Sequence, residues 1–304
     1  MSSSIKKIYR QIVRHRFAYL LMAPGILFFL VFNIYPLYFL QIAFKKYSVF
    51  GGLENAKWVG LDNFRRLFAT KYFGQALSNT LILSFCNILV GMVVPVAIAL
   101  FINELRNRRF ARFVQTSVYL PHFLSWVIAG GIWLSLLSPQ GGLVNEFLGL
   151  FGVEPIFFAA RPDLFRGVLV FTYAWKSAGW QSIIYLAAVT GIDSSLYEAA
   201  RIDGASRMQC MKWITIPLIL PTISVVTILQ VGKVLELFNQ VFVMYNPVVA
   251  EVSETLGTYV YNMGIVKGDM SFATTLGLFK SLVSVSLVLI TNKISKKLSG
   301  NSVV

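Results

Sequence analysis

The residues able to do chemistry in this chain are few and scattered. Its two histidines, His15 and His122, are far apart and lack any HExxH-like spacing. Cys86 lies in an apolar run and Cys210 in a polar loop, so no disulfide framework or metal cluster follows from them. No GxxxxGK[ST] occurs, and the Gly232-Lys233 pair is followed by Val, so no phosphate loop is encoded. Catalytic and metal-ligating residues are therefore expected to be absent. What remains is polar groups embedded in apolar segments, where an ionisable side chain is costly and marks function or pairing. Tyr173, Lys176 or Ser177, and Trp180 recur at helical spacing and share a face, with Gln181 beside them. Aromatic rings suit the apolar faces of sugars, and Lys and Gln can hydrogen-bond hydroxyls. These residues suit a solute path or, equally, a seal between helices. Lys233 and Glu236 are three apart and are expected to neutralise each other, whereas Asn239 and Gln240 are candidates for contacts along the path.

Such groups must be held by membrane-spanning helices. The chain has 304 residues, 56% hydrophobic and 13% charged, against about 25% charged in soluble domains. Six segments are long and apolar enough to cross a bilayer: 17–42, 77–102, 112–137, 165–191, 214–241 and 271–292. The first lacks a small-residue cleavage site and reads as a retained span. The expected organisation is a basic tail at 1–16, a first span with an outer interfacial helix at 17–76, a core transmembrane domain at 77–292, and a second tail at 293–304.

The net charge of +14 is distributed by topology, which argues against nucleic acid as its partner. With the N-terminus inside, the inward segments hold fifteen basic and four acidic residues, and the outward segments nine and eight. Both termini are then cytoplasmic. In the first outer loop, "LDNFRRLFATKYF" alternates apolar and charged residues as a surface helix does, with Lys45, Lys46, Arg65 and Arg66 expected to snorkel at the outer interface.

The inward loop 192–213 between spans four and five carries "EAARIDGAS". Asp193, Ser194 and Ser195 offer N-caps, and Ser195-x-x-Glu198 has the form of a capping box. Ala199 and Ala200 favour helix and let another surface approach closely. Gly204 can take positive φ and end the helix, and Ser206-x-x-Gln209 offers a second capping box opening the next one. A short helix, a sharp bend and a helix running into a span form a rigid element able to pass on a push.

"EAARIDGASRMQCMKWITIPLILP" resembles the signature of binding-protein-dependent ABC importer permeases: Glu198, Ala199, Ala200, Gly204, Ile214, Ile216 and Pro217 fall in register. Asp203 lies at the bend of the same loop. "VGLDNFRRLF", "YLPHFLSWVIAGGIWLSLL" and "GGLVNEFLGLFG" are similar to carbohydrate-importer permeases of the maltose and glycerol-3-phosphate type, and the resemblance covers nearly the whole chain. Segment 245–265 loosely resembles a subgroup for complex oligosaccharides. The Pro common before the Glu-Ala-Ala is replaced by Asp193-Ser194-Ser195. The resemblance implies an all-α membrane protein with the type I ABC importer permease fold, six spans, and a cytoplasmic coupling helix docked on an ATP-binding subunit. It implies a bacterial cell-membrane location, a second related permease, an extracytoplasmic solute-binding protein and a carbohydrate substrate. ATP and Mg would belong to the partner subunit, with no cofactor on this chain. A non-sugar solute stays open, and so does an ion-coupled secondary transporter, although no internal repeat supports the latter.

Overall fold

The computed structural model describes residues 14–232 and 237–299, with side chains through 293. Lys233 and Glu236 lie outside the described residues. Helix α1 (Arg16–Phe44) begins as α-helix, widens to a π turn at Leu30–Ile34 and tightens to 3₁₀ at Tyr35–Phe44. Proline supplies no amide donor, and Pro24 and Pro36 within the helix account for this irregularity. Its apolar window is unburied, and only the end at Ile42 and Ala43 enters the core. A two-residue hairpin, β1 (Lys45–Lys46) with β2 (Lys57–Trp58), pairs Lys45 with Trp58 and leads to α2 (Asp62–Ala69).

Helix α2 rests one face on the bundle and leaves the other exposed. Leu67 is fully buried with Phe73, Phe272 and Leu276, and Arg66 pairs with Asp269 at 2.7 Å while lying over the Phe272 ring. Leu67 is the one residue of the helix that is buried, while Asp62, Arg65, Arg66 and Phe68 stay exposed, Arg65 paired locally with Asp62.

The bundle proper consists of α3 (Lys71–Glu104), α4 (Arg108–Tyr119), α5 (Trp126–Leu136), α6 (Leu143–Gly149) and α7 (Pro162–Thr190), then α8 (Ser194–Ile202), α9 (Arg207–Gly232), α10 (Phe238–Met244), α11 (Leu256–Tyr261) and α12 (Met270–Ser299). The pairing of α3 with α7 is the most extensive, and two apolar cores flank it. One joins α2, α3, α11 and α12 through Leu67, Phe73, Leu256 and Phe272. The other joins α3, α5, α7 and α10 through Leu83, Leu137, Phe165 and Val241. Large apolar side chains such as Leu21, Phe85 and Leu282 remain exposed, as a lipid-facing surface requires.

Among the described residues, four helices are long and apolar enough to cross a membrane: α1, α3, α9 and α12. The segment 112–137, expected as one span, is broken. A 3₁₀ turn at Leu120–Phe123 carries α4 into a 107° bend, with Pro121 buried in it. Ser125 then N-caps α5 by accepting from Ile128 N at 3.3 Å. Counting the bent pair as one span gives up to five. The 29 residues of α7 are long enough at ~1.5 Å per residue, but its polar residues dilute its hydropathy. The segment 214–241 is interrupted: α9 is described as far as Gly232, Leu237 is not helical, and α10 begins at Phe238.

Candidate functional site

Two features concentrate the polar chemistry. The first is the loop around α8. Asp193 is its N-cap, its carboxylate accepting from Ser195 N at 2.9 Å. Ser195 thus lies inside the helix, and the expected Ser195–Glu198 box gives way to an upstream cap. At the other end Gly204 has φ +80°. Ala205 N donates to Ala200 O at 2.8 Å and Gly204 N to Arg201 O at 3.0 Å, a Schellman closure. The next helix opens with the expected box: Ser206 N donates to Gln209 Oε1 at 2.7 Å, and Gln209 N to Ser206 Oγ at 3.4 Å.

The capped unit is tied to the bundle at two points. Tyr197 Oη shares a hydrogen bond of 2.9 Å with Thr215 Oγ1, and Arg207 pairs with Glu104 at 3.6 Å. No residue of α8 is buried, and Glu198, Ala199, Ile202, Asp203 and Gly204 are all exposed. Ile214 is half-buried and Pro217 exposed on α9, beyond the bend. The helix is closed at both ends and exposes most of its surface, with Tyr197 and Ala200 half-buried.

The Ser195 amide holds the Asp193 carboxyl below the usual carboxylate range. A depressed folded pKa contributes stability above the unfolded value, and this is lost as pH falls through the folded one. Asp193→Ala is therefore expected to speed amide exchange at Ser195 and along α8 at neutral pH. Asp193→Asn, which keeps an acceptor, should stay near the parent and lose the acid sensitivity. Exchange mass spectrometry from pH 7 to pH 4 reads both.

The second feature is a cavity of about 490 Å³ between α3, the 3₁₀ turn, α7 and α9. Tyr173, Ser177, Trp180 and Gln181 line it from α7, Asn87 from α3, His122 from the turn and Gln230 from α9. His122 and Trp180 stack with centroids 4.7 Å apart and planes 6° from parallel. Gln181 Oε1 accepts from Gln230 Nε2 at 3.2 Å, and Tyr173 lines the same wall. Gln230 also donates to Gly91 O at 3.2 Å, joining three helices.

Of the two alternatives on the α7 face, Ser177 faces this cavity. Lys176 does not line it: buried to 9% exposure, it donates to His122 O at 2.9 Å and lies 5.3 Å from the Trp126 ring. The ammonium thereby caps the carbonyl end of the α4 turn, where a cation is favoured. Gln240 is also turned inward, bonding Leu169 O and Thr172 Oγ1, so its amide braces α10 against α7. Asn239 is exposed and is not part of the cavity wall. Asn87 and Gln230 are wall residues beyond those the sequence spacing marks. Their signal is an amide within an apolar run, the same kind that marked Gln181.

Long apolar helices enclosing a cavity that holds several polar side chains are the architecture of an integral membrane protein. Residues 87–300 match the family model described as binding-protein-dependent transport system inner membrane component, and the chain belongs to that family. It is 41% identical over 293 residues to the polygalacturonan/rhamnogalacturonan transport system permease protein YteP of Bacillus subtilis (strain 168), covering 96% of this chain and 91% of that protein. Among solved structures it resembles a bacterial ABC transporter involved in the import of the acidic polysaccharide alginate, with TM-score 0.89, 37% identity, and coverage of 96% of this chain and 99% of the other. It likewise resembles a chain of the bacterial alginate ABC transporter in complex with an alginate pentasaccharide-bound periplasmic protein (TM-score 0.90, 36% identity, coverage 98% and 100%).

Proposed function

We propose that this chain is one half of the pathway of an ATP-driven importer for an oligosaccharide, with acidic sugars among its residues. In this reading six spans are formed by α1, α3, the bent pair α4–α5, α7, the pair α9–α10, and α12. Both termini and loop 192–213 face the cytoplasm. A second, related permease completes the pathway, and an external solute-binding protein delivers the sugar. A separate subunit, binding ATP and Mg, receives α8 through Glu198, Ala199, Ala200, Asp203 and Gly204, with Ile214 and Pro217 carrying the motion into α9. The observation that carries the coupling role is that α8 is fully capped yet has no buried residue of its own. Transport of polygalacturonan and rhamnogalacturonan by a relative, and of acidic alginate by a structural neighbour, supports the substrate class.

In the cavity, Tyr173, Trp180 and Gln181 are the proposed sugar contacts, an aromatic face beside hydrogen-bonding amides. Trp180→Ala is expected to raise the KM for uptake about two- to tenfold, the equivalent of losing one aromatic contact. Phe171→Ala, on the apolar side of α7, should leave KM unchanged. Equal effects of the two would remove the sugar path from this cavity.

The test of the whole reading is uptake into proteoliposomes holding both permeases, the ATP-binding subunit and the cognate binding protein. Accumulation should require internal ATP and be competed by acidic oligosaccharides. Accumulation driven by an ion gradient alone would make this a secondary transporter, and stronger competition by neutral analogues would remove the acidic substrate.

A further inference from the structure

We propose that the N-terminal half of α4 is a binding site for anionic phospholipid. The segment 106–113 reads Arg-Asn-Arg-Arg-Phe-Ala-Arg-Phe, and Arg106, Arg108, Arg109 and Arg112 are all exposed. Among the described residues none of the four is in an ion pair. The nearest carboxylate in sequence, Glu104, is taken by Arg207 at 3.6 Å. The first turn of α4 carries no acidic residue. Cations there oppose the positive end of the helix dipole and repel one another, so the isolated chain gains nothing from this placement. An anion reverses both terms.

The Asn107 side chain already accepts from the Arg109 and Phe110 amides at 2.9 and 3.2 Å. The anion is therefore met by guanidinium groups, whose planar forks suit phosphate oxygens. Lipid is chosen over free phosphate by the apolar side chains on the same helix. Phe110 is 50% and Phe113 67% exposed, and no residue of α4 is buried. Cations beside exposed aromatics on one helix are the pattern of an interfacial element. Position agrees: α3, with 34 residues, is about 51 Å long, longer than the ~40–45 Å of a bilayer with its headgroups, and α4 starts four residues beyond its end. The inference rests on this chain being a membrane component and stands whichever solute it carries.

The experiment uses the assembled transporter in nanodiscs of phosphatidylcholine with graded phosphatidylglycerol, counting retained lipids by native mass spectrometry. The parent should retain phosphatidylglycerol selectively. Replacing Arg106, Arg108, Arg109 and Arg112 by Gln should weaken retention by roughly fivefold per arginine, the equivalent of the ~1 kcal/mol that one basic residue contributes at an anionic surface. Phe110→Ser with Phe113→Ser should weaken it too, and Arg65→Gln on α2 should not. If the quadruple variant fails to assemble, Arg108→Gln with Arg109→Gln gives the same reading. Equal retention of the two lipids, displacement of phosphatidylglycerol by inorganic phosphate, or protection of these arginines only by the ATP-binding subunit would each overturn the proposal.

Discussion

Gly179→Ala is expected to unseat α7 from α4 and to remove most of the assembled protein from the membrane. A Cβ at Gly179 would lie 1.9 Å from Val118 O, 2.5 Å from its carbonyl carbon and 2.9 Å from Val118 Cγ1. The first two are backbone atoms, so no side-chain rotation relieves the clash and one helix must move. Overpacking typically costs ~1–3 kcal/mol, and a backbone collision belongs at or above the upper end. The movement would also disturb His122 and Lys176, because the 3₁₀ turn follows directly from α4. Gly74→Ala is the control: a Cβ there meets nothing within 4 Å, and helix propensity favours Ala by about 1 kcal/mol. Thermal stability of the purified protein, read as loss of the monodisperse peak on heating, should fall sharply for Gly179→Ala and hold or rise for Gly74→Ala. Equal midpoints would mean that α4 and α7 do not meet at this crossing.

The second large effect is on transport with the fold intact. Gly204 holds φ +80° while a Cβ there would meet nothing within 4 Å. Gly204→Val therefore carries no clash but a left-handed backbone costing a β-branched residue ~1–2 kcal/mol, enough to favour opening of the Schellman closure. The aim of α8 would change while the bundle is untouched. Glu198→Lys leaves the backbone alone and reverses the charge on the exposed face. Coupling between distant sites is commonly worth ~1–3 kcal/mol, so both variants should lose roughly five- to 150-fold in ATP-dependent uptake. Membrane insertion and binding-protein capture should persist. Unchanged uptake in both variants would leave α8 without a coupling role.

Much of this loop was legible because its information is local. Gly204, Ser206 and Gln209 act on neighbours within a few residues, and their spacing states the turn and the cap directly. Asp193 and Ser195 are both competent caps two residues apart. The structure starts the helix at the upstream one, whose charged oxygen is the better acceptor for first-turn amides. The break at 120–125 carried its own signals, Pro121 and the N-cap Ser125, but hydropathy averaged over a span length runs across them. The least legible features were tertiary. Lys176 shares a face with Tyr173 in any helical projection, yet its partner is a carbonyl 54 residues away. Arg66 reads from sequence as an exposed cation, and its partner Asp269, 203 residues on, is visible only in the fold. Gln230 looks like an isolated amide in an apolar helix, and only the packing of three helices shows that it bonds Gly91 and Gln181.

The most direct measurement is a cross-link between α8 and the energising subunit. With Cys86 and Cys210 replaced, Ala199→Cys places a thiol on an exposed face of α8. Inside-out vesicles carrying the whole transporter, with cysteines scanned across the ATP-binding subunit, should give an oxidative cross-link there that halts transport until reductant restores it. A thiol at Ala199 that links to no nucleotide-binding partner, or reacts only from the outer face while ATP-dependent uptake continues, would contradict the proposed route of energy into this protein.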